Sequence, residues 1–181
     1  QQDTFADMIM LMALIVVLVF IIMASQFESL TYPFVIMFSI PFAITGVLLG
    51  LFFTGTPLSV MAMLGLLMLI GIVVNNGIVL IDYIMLCRER GLGLVKSVIT
   101  SGRSRLRPIL MTTFTTVIGM IPMAVGTGEG SEMWRAMGMS VAWGLSFSTL
   151  ITLIIIPTLY SIFARNGIRR ARKKELKMMK K

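Results

Sequence analysis

The chain has 181 residues, 57% of them hydrophobic and 13% charged, with a mean hydropathy of +0.94; a soluble domain carries about 25% charged residues, so a water-solvated fold is excluded. Its sixteen basic and eight acidic residues give a net charge of +8, which would suit nucleic acid if the basic residues covered a surface. Instead six (Arg88, Arg90, Lys96, Arg103, Arg105, Arg107) share one polar stretch, nine lie within residues 165–181, and Arg135 stands apart, the positive-inside pattern of a membrane protein and not the footprint of a nucleic-acid partner.

A hydrocarbon core of about 30 Å takes roughly 20 apolar residues of helix. Five segments meet that requirement, and they predict an all-α integral membrane bundle within residues 1–165. The first covers about 8–25 and ends at Ser25-Gln26-Phe27-Glu28-Ser29. The second, about 33–53, opens on Pro33, a favourable first-turn position, and carries a predicted kink at Pro41. Thr54-Gly55-Thr56-Pro57 is a turn signal before the third and longest segment, about 58–86. Residues 87–107 then read as a basic cytoplasmic loop, with a short interfacial helix over 92–102. The fourth segment covers about 108–125. A loop of small residues, Gly126-Thr127-Gly128-Glu129-Gly130, leads to the fifth, about 133–163, which contains Pro157. Residues 166–181 read as a basic cytoplasmic tail at the lipid surface.

With the 87–107 loop and the tail both inside, the third helix runs inward, the fourth outward and the fifth inward, and the N-terminus lies outside. An external N-terminus without its own signal requires an earlier helix. The start at Gln1-Gln2-Asp3, with no basic region before the first apolar run, likewise reads as a fragment. The one cysteine, Cys87, has no intrachain disulfide partner, and the lack of histidine removes the common zinc patterns. Cys87 is expected to be a structural thiol. Seventeen methionines fit lipid-facing and gap-filling roles better than a copper path.

Polar groups at membrane depth are costly and are the default functional candidates. The third segment reads Gly71-Ile72-Val73-Val74-Asn75-Asn76-Gly77-Ile78-Val79-Leu80-Ile81-Asp82, placing Gly71, Asn75, Ile78 and Asp82 on one face with Asn76 beside it. The two carboxamides act either as interhelical glue, worth about 1 kcal/mol or less, or as part of a transport path; the sequence weights these alike. In the fourth segment, Arg105 and Thr112 are seven residues apart and share a face. Thr112, Thr116 and Gly119 make a small-residue stripe suited to close packing, so Arg105 and Thr112 either anchor and pack or join a polar pathway facing the third helix. Gly144, Ser148 and Thr152 form a second stripe, read as packing, and Glu129 and Glu132 read as solvated charge in an outer loop. No hydrolase, phosphate-loop or metalloprotease motif is present, so no enzymatic reaction is expected.

Three strings in order, GIVVNNGIVLIDY (71–83), RLRPILMTT (105–113) and GMIPMAVGTGEGSEMWRAMG (119–138), resemble the resistance-nodulation-division superfamily of efflux permeases, most closely its hydrophobe/amphiphile branch. The resemblance covers residues 4–163 and corresponds to the eighth through twelfth helices of a twelve-helix permease. It implies a proton-driven antiporter in the bacterial inner membrane, powered by the proton gradient with no bound cofactor. It further implies a homotrimer exporting amphiphilic small molecules with a periplasmic adaptor and an outer-membrane channel. In that family an aspartate pair on the fourth helix works with a lysine on the tenth and an arginine and threonine on the eleventh. By motif, the lysine position is Asn75, the arginine is Arg105 and the threonine is Thr112. Asn75 is a departure, since asparagine offers hydrogen bonds but no charge. Asp82 matches an acidic position at the helix end and, with Thr116, reads as structural. The aspartates would lie in an N-terminal half outside this chain. Two alternatives stand: a metal-exporting relative, and a truncated, non-transporting membrane scaffold.

Overall fold

A computed structural model describes residues 2–128 and 130–178, with side-chain surroundings for 4–128 and 130–165. Among the described residues all regular structure is helical: α1 (Gln2–Phe27), α2 (Thr31–Met37), α3 (Ser39–Thr54), α4 (Val60–Glu89), α5 (Leu94–Val125) and α6 (Ser131–Met178). Five stretches are long and apolar enough to cross a membrane, α2 and α3 together making one of them.

The interruption between α2 and α3 falls at Phe38, one turn before the kink expected at Pro41. Proline lacks an N–H, and its ring crowds the carbonyl four residues back, here that of Met37. The break therefore appears where the bond is lost rather than at the ring. The Ser39 hydroxyl donates to the Ile36 carbonyl at 2.6 Å and satisfies part of the opened turn.

Ser59 caps α4 by accepting from the Ala62 N–H at 3.2 Å. The helix stops where Gly91 takes φ 83°, and the Leu92 N–H closes back to the Cys87 carbonyl at 3.2 Å, the left-handed glycine stop that ends many helices. The connection is much shorter than the loop expected over 87–107. The helix foreseen at 92–102 and the segment foreseen from 108 are one continuous α5, running through Pro108 and Pro122. Its basic first half is also amphipathic: Ser97 and Ser101 are buried, and Leu94 and Val98 pack on the core. That tertiary burial holds the helix together where composition alone reads as loop.

The boundary set near residue 165 is likewise no change of backbone, because α6 continues helical to Met178. The side chains expected to lie on lipid at 166–181, and the conformation of 179–181, fall outside the described residues, as does Glu129. Glu132 belongs to the first turn of α6, where a carboxylate favours the helix N-terminus, not to the preceding loop.

Helix α6 packs against α3, α4 and α5. Its approach to α3 and α4 depends on glycine: a Cβ added at Gly144 would lie 2.3 Å from Leu69 Cδ2, and one at Gly50 would lie 2.3 Å from Trp143 Cβ. One apolar cluster joins Met23, Ile36, Ile81, Ile84, Ile156 and Tyr160; a second joins Val47, Leu66, Leu69 and Leu145. Helix α1 stands apart, with 6% of its apolar window buried inside the chain.

Candidate functional site

Buried positions on α4 include Val73, Gly77, Leu80, Ile81 and Ile84, which face the core. The opposite side carries Met68, Gly71, Asn75, Asp82 and Leu86, all exposed, at steps of three, four and seven residues that make a single helical stripe. A Cβ at Gly71 would meet nothing within 4 Å. Asn75 and Asp82 therefore lie on one face, as the sequence predicts, and that face is left uncovered by the described residues. Asn76 is half-buried and turns toward α5 and α6, where it lines a narrow cleft with Val73, Ile109, Ser148, Thr149 and Thr152.

On α5, Arg105 is half-buried and its guanidinium carbon lies 4.5 Å from the centroid of the Tyr83 ring, next to Asp82 on α4. A guanidinium over an aromatic face is attracted by the ring quadrupole. The Arg105 Nε is buried with no hydrogen-bond partner. Thr112 is exposed and donates to the Ile109 carbonyl at 2.9 Å, while Thr116 donates to the Thr112 carbonyl at 2.8 Å. Gly119, the last member of the expected packing stripe, would offer a Cβ open space. Thr112 and Gly119 are thus left open by the described residues, while Thr116 is half-buried. Among the described residues no hydrogen bond joins Asn75, Asn76, Arg105 and Thr112 to one another.

Several polar residues escaped the sequence reading. Thr113, beside Thr112, is buried and shares a hydrogen bond with Thr149 of α6 at 3.1 Å. Ser148 and Thr152, read from sequence as packing, are buried with hydroxyls that find no partner among the described residues. At the end of the bundle that carries the α4–α5 turn, Arg88 Nη1 donates to Tyr160 Oη at 3.4 Å. The Tyr160 ring stacks on Tyr32 at 5.5 Å, and Tyr32 meets the edge of Phe27 at 6.1 Å. No spacing in the sequence announces that cluster, because the partnership depends on packing between elements far apart in the chain.

Residues 1–164 match the model of the AcrB/AcrD/AcrF family. The chain belongs to this family, one of resistance-nodulation-division permeases. Among curated relatives it is 40% identical over 164 residues to the swarming motility protein SwrC of Bacillus subtilis (strain 168), covering 90% of this chain and 16% of SwrC. It is 37% identical over 148 residues to the cobalt-zinc-cadmium resistance protein CzcA of Cupriavidus metallidurans, covering 82% of this chain and 14% of CzcA. The multidrug resistance protein MdtC of Proteus mirabilis is 33% identical over 169 residues, covering 93% of this chain and 16% of MdtC. A crystal structure of a heavy metal efflux pump superposes with a TM-score of 0.82 at 30% identity, over 91% of this chain and 16% of the pump. The chain spans about a sixth of the length of these relatives, and within that span its helices superpose on those of the heavy metal efflux pump.

Proposed function

We propose that this segment is part of the membrane domain of a proton-driven efflux permease exporting drugs or other amphiphiles, and that Asn75, Asn76, Arg105 and Thr112 belong to its proton pathway. The observation that carries this reading is the open polar face: Asn75 and Asp82 on α4 and Thr112 on α5 are exposed on helices apolar enough to lie in lipid. Polar groups at that depth require a protein or aqueous neighbour, and the neighbour of stated chemistry is the carboxylate-bearing half of the permease. Arg105, held on α5 against the ring of Tyr83, supplies fixed positive charge to the pathway. Asn75 supplies neutral hydrogen bonding at the middle, so proton-dependent rearrangement here turns on making and breaking hydrogen bonds rather than an ion pair. The arrangement acts on proton position and helix packing; it contains no chemistry for bond cleavage, and the permease is read as a transporter, not an enzyme. A homotrimer in the inner membrane, with an adaptor and an outer-membrane channel, is the assembly in which it would work.

Replacing Arg105 or Thr112 by alanine in the full-length permease, expressed in cells lacking their own pumps, is expected to abolish proton-gradient-dependent dye efflux with normal membrane levels. Unchanged efflux would overturn the site assignment. Metal export is the second reading, favoured by the 37% identity to a cobalt-zinc-cadmium resistance protein. Resistance to cobalt, zinc or cadmium without resistance to dyes, in the same cells, would select it. Resistance to neither would leave a non-transporting membrane scaffold.

A further inference from the structure

Beyond the first turn of α6, its serine and threonine hydroxyls divide into two groups. Those of Ser140, Ser146, Thr158 and Ser161 donate to carbonyls of their own helix at 2.7–2.8 Å, and that of Thr149 is shared with Thr113. Among the described residues those of Ser148 and Thr152 find no partner, although the two residues are 0% and 3% exposed. Buried hydroxyls without partners are unfavourable, and the usual remedy, back-bonding to the preceding turn, is open to both. Both residues line the cleft against α4 instead. One helical turn apart, they present two hydroxyls side by side. The cleft is too narrow for a water molecule. Of the other residues lining it, Val73 and Ile109 are apolar and Thr149 is engaged, which leaves Asn76. A carboxamide brings one acceptor and two N–H donors, a match for two hydroxyls that both give and accept.

We infer that Ser148 and Thr152 are positioning residues for Asn76. Their hydroxyls form a docking point for its carboxamide, so that Asn76 alternates between a state bonded to α6 and a state turned toward the open polar face beside Asn75. This rests on the proposal that Asn76 belongs to the proton pathway. It adds a third helix to that pathway: α6, which carries neither Arg105 nor the carboxamide pair, biases the orientation of Asn76 from behind.

The test is a double-mutant cycle in the full-length permease, pairing Thr152→Val with Asn76→Leu and reading both thermal unfolding in detergent and the pH dependence of export in proteoliposomes. Ser148→Ala is the parallel variant should Thr152→Val fail to fold. Removing the Thr152 hydroxyl at nearly constant volume is expected to shift the export–pH profile and to lower export roughly threefold to tenfold. It should have little further effect once Asn76 is Leu, and Thr152→Ser, which keeps the hydroxyl, should restore the wild-type profile. Additive effects in the unfolding cycle would overturn docking. A shift in unfolding with an unchanged pH profile would overturn positioning and leave packing alone. Should Arg105→Ala leave proton-driven export intact, the proposed pathway falls on its own terms, while the unfolding cycle still decides whether Asn76 docks on α6.

Discussion

Thr112 and Thr113 are neighbours in sequence and opposites in structure. The first is exposed and bonded to its own helix; the second is buried and bonded to Thr149 across the α5–α6 interface. The sequence motif singles out Thr112, because that is where the family resemblance points, and nothing in a string of four threonines and a phenylalanine says which one faces α6. That depends on the rotation of α5, which its contacts with α6 set. Thr113→Val should destabilise the bundle by about 0.6–1.7 kcal/mol, since it leaves the buried Thr149 hydroxyl without its partner. The double variant Thr113→Val/Thr149→Val should recover much of the loss, because replacing both partners removes the unsatisfied group. Thermal unfolding of the two single variants and the double would check this; a double variant as unstable as the sum would refute it. Tyr83 makes a parallel case. Its contact with Arg105 joins residues whose pairing no spacing rule reveals, and Tyr83→Leu should reduce export where Tyr83→Phe, which keeps the ring, should not.

At the scale of elements, apolar length was enough to find all five spans, because lipid imposes one length requirement on every helix. Boundaries next to basic residues were less legible. Arg103, Arg105 and Arg107 read as loop by composition, yet they occupy exposed or half-buried positions on a helix whose inner face, through Ser97, Ser101 and Val98, is packed on α4 and the core. Long basic side chains reach water from a helix that is otherwise buried, so charge marks the depth of the chain in the membrane and not the end of the helix. Proline was legible in kind but displaced by a turn. If Pro41 is what separates α2 from α3, Pro41→Ala restores a donor for the Met37 carbonyl and merges the two helices. Spin labels at residues 31 and 54 should then move apart toward the roughly 35 Å of a straight helix of that length. An unchanged distance would assign the bend to the packing of Val35 and Ile36, both fully buried.

For the whole molecule, sidedness follows from charge, and it is testable because the chain carries a single cysteine. Cys87 is 3% exposed, packed so that the Ser101 hydroxyl lies 3.8 Å from its sulfur, and a maleimide should not reach it in the folded protein. A Cys87→Ser background then frees the chain for single reporters. Arg90 lies in the α4–α5 turn and Thr127 in the α5–α6 turn, both exposed and at opposite ends of α5. The basic residues cluster around the first turn, and Lys and Arg are retained on the cytoplasmic side. Arg90→Cys should therefore react with a membrane-impermeant maleimide only after the inner membrane is opened, and Thr127→Cys should react without that step. The reverse pattern would put the basic turn outside, invert every helix, and place the Arg105 end of the open polar face on the external side. Labelling of both sites in unopened cells would mean that α5 does not span, which its 32 residues and the packing of α6 along it argue against. The expected pattern would put the basic turn, and with it the Arg105 end of the proposed pathway, on the cytoplasmic side.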